Sequence, residues 1–257
     1  MPYELAGRNV LVTGGSRGLG AAIALAFAAQ GANVAINYQS NSGAAAAVLD
    51  RISQEHPRVK AVALQADVGS MAQCAALVER ARGELGGLDV VVGNAGYTKF
   101  SKFGDLDALS EEDWDKASCW AVNVKGKLAL LRAALPTFNA NPDGGVFLIT
   151  GSVASVQQSG SSMAYSVTKA AQLHLMKCLA ATQGDKVRVN AVLPGLLLTD
   201  WGEMYPPEAI EAMKEKSALK SVTDLQDCAD AYVMLAKNTS ITGAKIQVDA
   251  GLFVNSA

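Results

Sequence analysis

Short apolar runs recur along the chain at 9–13, 33–37, 59–65, 88–92, 145–150, 187–192 and 245–248. Rich in Val, Ile, Leu and Ala and too short for helices, they read as buried strands. The intervals carry the spacing of amphipathic helices, predicted over 18–30, 42–55, 70–85, 110–139, 163–183 and 224–237. Regular alternation of the two implies right-handed crossovers and a parallel sheet covered on both faces. The expected fold class is α/β, a doubly wound, seven-stranded parallel sheet with helices on both faces. No internal repeat or linker interrupts the pattern, and Ala44–Ala47 is an alanine-rich turn of helix. A single domain over 1–257 follows, a length at which one sheet still supports one core.

Composition narrows the function. Half of the residues are apolar and 18% are charged, which describes a buried core rather than a disordered chain. A net charge of −2 gives no electrostatic footprint for nucleic acid. No apolar run reaches membrane-spanning length, and Met1–Gly7 is too short and polar for a signal peptide. The ending Val254-Asn255-Ser256-Ala257 is neither a peroxisomal nor an ER-retention signal, so the expected location is cytoplasmic. Cys74, Cys119, Cys178 and Cys228 are widely spaced and read as small apolar fillers in a reducing compartment. His56 and His174 are the only histidines and form no ligand cluster, so no metal site is expected.

Two segments carry chemistry. Asn9-Val10-Leu11-Val12 runs into Thr13-Gly14-Gly15-Ser16-Arg17-Gly18-Leu19-Gly20 and then into an apolar helix. Strand, glycine turn and helix is the context in which backbone N–H groups and a helix N-terminus hold a pyrophosphate. Further on, Tyr165 and Lys169 stand four apart on a predicted helix and so share one face. An ammonium beside a phenol favours the phenolate, and this pairing predicts a lowered tyrosine pKa.

Thr13 to Gly20, Asp67-Val68, Asn94-Ala95-Gly96, Asn123, Ser152, Tyr165, Lys169 and Pro194-Gly195 occur in this order. Together they resemble the compact type of the short-chain dehydrogenase/reductase family over nearly the whole chain, with a Rossmann fold. The resemblance implies a catalytic set of Asn123, Ser152, Tyr165 and Lys169. Tyr165 would be the general acid, and Lys169 would tune it and hold the nicotinamide ribose. Ser152 would bind the substrate carbonyl, with Ser155, Ser159, Ser161 and Ser162 as nearby competitors. Asn123 would perturb its helix and hold a water that relays protons to Lys169. The implied cofactor contacts are Gly14, Ser16, Arg17, Gly18, Leu19 and Gly20 at the turn, with Asp67 and Val68 at the adenine. Asn94, Ala95 and Gly96 would lie at the ribose, and Pro194, Gly195 and Thr199 at the nicotinamide. Taken alone, Asp67 reads equally well as a helix N-cap. Gly93 stands where the family usually has Asn, and Ala250 where it usually has Gly.

Charge decides between the two nicotinamide cofactors. An NAD site wants a carboxylate on the ribose about 20 residues after the glycine turn. Here the second strand ends Ile36-Asn37-Tyr38-Gln39-Ser40-Asn41, with no acid. Arg17 can meet a 2′-phosphate with a planar cation. The expected cofactor is therefore NADP(H), with Arg17, Asn37, Ser40 and Asn41 on the phosphate side. The Asn37-Tyr38 pair resembles the NADPH-dependent naphthol reductases within the family, alongside its carbonyl and β-ketoacyl reductases.

The expected function is reduction of a ketone to a secondary alcohol by hydride transfer, with a small-molecule ketone or alcohol as partner. The alternatives are an NAD-dependent alcohol or hydroxysteroid dehydrogenase, against which the missing carboxylate counts, and a non-catalytic NADP-binding module. A substrate lid is expected at about 196–219, with a short helix over 207–216 opened by Pro207. Trp201, Met204 and Tyr205 read either as an aromatic pocket wall or as packing and oligomer contacts. The resemblance further implies a homo-oligomer, a tetramer or dimer, built through the helices at 110–139 and 163–183 and the C-terminal strand region.

Overall fold

The computed structural model describes residues 3–115 and 119–254. Seven parallel strands form one sheet in the order β3-β2-β1-β4-β5-β6-β7. They are β1 (Asn9–Val12), β2 (Asn33–Tyr38), β3 (Ala61–Gln65), β4 (Val90–Gly93), β5 (Gly145–Thr150), β6 (Val187–Pro194) and β7 (Lys245–Val248). The order reverses between β1 and β4, which opens a crevice at the carboxyl ends of those strands. Each strand sits within two residues of its expected place.

Alternation along the strands builds two cores. Val10, Val12, Val90, Val92, Val146 and Leu148 face one layer with α1 (Gly18–Ala29) and α2 (Ser42–Glu55). Leu11, Val91, Phe147 and Ile149 face the other, with α3 (Met71–Leu85). Because both faces are covered, these strands read as continuous apolar runs rather than as half-buried ones.

The stretch expected as one helix over 110–139 is helical in its described part from 111 on and is widened by a π turn. Its described part holds α4 (Glu111–Asp115), a π turn (Ala121–Lys125) and then α5 (Gly126–Ala140). The π turn falls on Asn123, and such widened turns concentrate where a side chain has a task other than helix packing. Next come α6 (Met163–Gln183), α7 (Pro207–Lys216) and α8 (Leu225–Lys237). The expected role of apolar filler suits Cys74, Cys119 and Cys228, which are buried, but not Cys178, which is exposed. No described helix is long and apolar enough to cross a membrane.

Candidate active site

The turn after β1 is built by crowding. Gly14 and Gly18 adopt φ of 62° and 51°, where a side chain is strained. At Gly20 a Cβ would stand 2.1 Å from the Gly14 carbonyl oxygen, so only glycine lets the start of α1 close on the turn. Asn94 Nδ2 donates to the carbonyls of Thr13 (2.9 Å) and Gly14 (3.3 Å). Asn94 Oδ1 accepts from Thr150 Oγ1 at 3.0 Å, leaving Thr150 to accept from Tyr232 Oη at 2.6 Å. One buried chain of hydrogen bonds therefore runs from the turn through the ends of β4 and β5 to α8. The Asn94 side chain is spent on this brace, and the backbone of Ala95 and Gly96 is left to line the cleft.

Asn37, expected among the phosphate contacts, lines the cavity, but its side chain is bonded to backbone. Its amide is 2% exposed. Oδ1 accepts from Gly14 N, and Nδ2 donates to the carbonyls of Tyr38, Leu64 and Ala66. A strand-end amide enclosed by both neighbouring strands must satisfy itself on backbone, so Asn37 supports the turn from beneath. Ser40 and Asn41 are exposed at the mouth, and Asn41 caps α2 by accepting from Ala44 N at 2.9 Å. Arg17 is exposed too and meets Asp200 at 3.4 Å across the opening. A solvated pair of this kind holds Arg17 only weakly. Asp67 accepts from Gly69 N in a turn, while Ser70 supplies the N-cap of α3. The N-cap reading of Asp67 therefore falls away.

Ser152, Tyr165 and Lys169 line the other end of the same cleft, and Asn123 is buried behind Gly96 next to them. Ser152 follows β5 and starts a short 3-10 turn (Val153–Ser155) by accepting from Ala154 N. Its hydroxyl faces the Tyr165 phenol and favours the phenolate there. The competing serines are otherwise engaged: Ser155 with the Ser152 backbone, Ser161 with Thr98, and Ser162 as the N-cap of α6. Ser159 lines the cleft. Lys169 Nζ lies 5.5 Å from the Tyr165 ring centre and donates to the Thr150 carbonyl at 2.6 Å. Asn123 is fully buried; it accepts from Tyr97 N and donates to Tyr97 O and Thr168 Oγ1, tying the loop after β4 to α6.

The lowered tyrosine pKa expected from the Tyr–Lys spacing is not what the site produces. Burial pushes the Tyr165 phenol up, and only the neighbouring Ser152 hydroxyl pulls it back. Burial also drives Lys169 well below the usual lysine range, with the Lys127 charge adding to the effect. Enclosure outweighs the pairing because both charged forms lose water at once. The phenol is thereby kept protonated, the form that a proton donor needs.

Between the turn and this set lies a cavity of about 1040 Å³. Trp201 packs on Tyr165 at 5.8 Å between ring centres, and Tyr205 meets Phe100 edge-on at 5.3 Å. Thr199 lines the cavity beside Gly18, and Pro194-Gly195 closes the end of β6. Sequence reasoning missed Tyr97, Phe100, Thr150 and Lys127. The first two had a signal: aromatics just beyond a strand end at the carboxyl edge of the sheet.

Hydride transfer requires a dinucleotide held along one wall, a proton donor near the reacting oxygen, and shelter from water. This cleft is shaped for those three demands, which defines an oxidoreductase of the dinucleotide-binding class. A family model described as enoyl-(acyl carrier protein) reductase matches residues 14–253. The chain belongs to the short-chain dehydrogenase/reductase family. It is 31% identical to the 3-oxoacyl-(acyl-carrier-protein) reductase FabG of Staphylococcus aureus over 250 residues, 96% of this chain and 98% of the relative. A versicolorin reductase of Emericella nidulans is 34% identical over 267 residues, covering 98% of this chain and 97% of the relative. A short-chain dehydrogenase of Burkholderia cenocepacia, crystallised with NADP, superimposes with a TM-score of 0.87 at 33% identity, covering 97% of this chain and 99% of that one.

Proposed function

We propose that this protein reduces a ketone to a secondary alcohol with NADPH, with Tyr165 as the general acid. The observation that carries the reading is that Ser152, Tyr165 and Lys169 line one end of a single cavity whose other end is the glycine turn, with Lys169 Nζ 5.5 Å from the Tyr165 ring centre. Bound NADPH supplies the hydride. Gly14, Ser16, Gly18, Leu19 and Gly20 would hold its pyrophosphate at the start of α1. Arg17, Ser40 and Asn41 would meet the 2′-phosphate, Asp67 and Val68 the adenine, and Ala95, Gly96 and Lys169 the nicotinamide ribose. Pro194, Gly195 and Thr199 would seat the nicotinamide.

The Ser152 and Tyr165 hydroxyls are then aimed at one carbonyl oxygen. As that oxygen gains alkoxide character both stabilise it, and Tyr165 gives up its proton. Lys169 favours the resulting tyrosinate. Asn123 holds the π turn, where a water would return the proton through Lys169. The segment 196–219 would close over the ketone, which the aromatic wall of Phe100, Trp201 and Tyr205 suits to an apolar or aromatic substrate. A cytoplasmic homo-oligomer, tetramer or dimer, is the assembly we infer from family resemblance.

The test is oxidation of NADPH and NADH at 340 nm over aliphatic, cyclic, aromatic and β-ketoester ketones, with wild type and Tyr165→Phe. Expected is preference for NADPH, and a fall in turnover of about 10²–10⁴-fold in the variant with NADPH binding retained. Wild-type rates in Tyr165→Phe would remove Tyr165 from the mechanism. A preference for NADH would overturn the cofactor argument.

A further inference from the structure

Lys127 is an ammonium where helix packing calls for an apolar side chain. It opens the run Lys127-Leu128-Ala129-Leu130-Leu131 near the start of α5 and is 0% exposed. Lysines are almost never fully buried unless they are paired. No carboxylate faces this one among the described residues: its titratable neighbours are the Cys74 thiol from α3 and Lys169 from α6. Nζ instead donates to two backbone carbonyls, Ala95 at 2.5 Å and Val122 at 3.3 Å.

Both carbonyls sit next to the reaction centre. Ala95 precedes Gly96, where a Cβ would lie 3.6 Å from Asn123 Oδ1 and 3.8 Å from Lys169 Nζ. Val122 precedes Asn123 in the π turn. The end of β4 makes room for the lysine, since a Cβ on Gly93 would stand 2.9 Å from Lys127 Cδ. Family resemblance leads one to expect an amide side chain at 93. Here glycine leaves that space free, and the methylene stem of Lys127 passes through it from the helix.

We propose that Lys127, admitted by Gly93, is a positioning residue of the reduction: it ties the loop at 94–96 to the π turn and places a second positive charge beside Lys169. The proposal rests on the reductase reading above. Burial lowers Lys127 to about 8, with the Cys74 thiol acting in the opposite direction. Its charged form opposes the Lys169 ammonium, while Cys119 favours it. Removing Lys127 therefore lets Lys169 keep its proton to higher pH.

The deciding variant is Lys127→Met, which keeps the length of the chain and loses the donors and the charge. With the full-length protein and NADPH, we expect kcat to fall roughly ten-fold, because two buried carbonyls lose their donor. The ketone KM should stay within about two-fold, the split that marks a loss confined to the transition state. Independently of turnover, NMR titration of ε-13C-lysine-labelled protein should show the Lys169 signal titrating at higher pH in Lys127→Met. Its assignment would come from Lys169→Met. Gly93→Ala provides a second route, because the added methyl displaces the Lys127 stem and should lower kcat with Lys127 still present.

Leu130→Ala, in the same helix and fully buried, is the packing control: it should lower Tm and leave the Lys169 titration in place. An unmoved Lys169 signal, or wild-type kcat in both Lys127→Met and Gly93→Ala, would overturn the proposal and leave Lys127 a buried filler. If no ketone were reduced by wild type, the reductase reading would fail, while the titration would still decide whether Lys127 acts on Lys169.

Discussion

The glycine floor and the segment 196–219 face each other across one cleft and are built on opposite terms. On the floor, residue identity is dictated by backbone crowding: Gly20 against the Gly14 carbonyl, Asn94 and Asn37 with their amides spent on carbonyls. Across from it, α7 has no buried residue, and Leu198, Met204 and Leu219 are exposed. This side is held mainly at its ends, by Thr223 N donating to Leu196 O and Leu219 N to Ala250 O. Segments with few buried contacts open at low cost, whereas a floor fixed by hydrogen bonds does not. The floor is fixed by its own backbone contacts, and the facing segment is the more loosely attached of the two.

The sharpest way to break this contrast is Gly20→Ala. A Cβ at 2.1 Å from a carbonyl oxygen cannot be absorbed by a side-chain rotation, so the turn must open. We expect NADPH affinity to fall by about 100-fold or more, on the order of 3 kcal/mol, measured by fluorescence titration. Retention of tight binding would mean that the floor is as pliable as the segment opposite.

A smaller effect is expected from Trp201→Ala on the facing wall. Trp201 packs on Tyr165, so its loss should raise the ketone KM by about ten-fold, consistent with losing part of an aromatic contact. NADPH affinity should stay within about two-fold. Equal losses for cofactor and ketone would show that Trp201 supports the floor and is not a wall for substrate alone.

Legibility in the sequence follows the same division. Strands buried on both faces leave runs such as Val90-Val91-Val92 that only a parallel sheet explains, and glycines leave gaps that only close backbone approach explains. Ser152, Tyr165, Lys169 and Asn123 were picked out because their spacing matches a family pattern; the first three line one end of the cleft, and Asn123 is buried behind them. Asn37 lines the cavity but spends its amide on backbone, a difference hidden in sequence because a strand-end amide looks the same whether it faces ligand or backbone. The direction of the Tyr165 pKa was misjudged because spacing reveals a neighbouring charge but not the loss of water around it. The π turn and Lys127 were missed for a related reason. A lysine in an apolar run reads as a solvated helix position until the glycine that admits it, 34 positions earlier in the sequence (127 − 93), is seen to face it.

The smallest expected effect concerns the anchor that joins the two regions. Ala250 has φ of 53° and Gly251 follows at 73°, so two left-handed residues in a row carry the carbonyls that receive Leu219 N and Ala218 N. The left-handed region costs an L-residue roughly 1–2 kcal/mol, and glycine avoids that cost while losing more chain entropy on folding. Ala250→Gly should therefore stabilise the protein by a net 0.5–1 kcal/mol, about 1–4 °C in Tm for a chain of this size. If turnover is unchanged as Tm rises, the strain is a tolerated departure and the segment 196–219 moves independently of its anchor. If Tm rises and kcat falls, the strained anchor itself helps that segment to open. An unchanged Tm would mean that the hydrogen bonds from Ala218 and Leu219 already compensate the strain, and the anchor would then belong with the rigid floor.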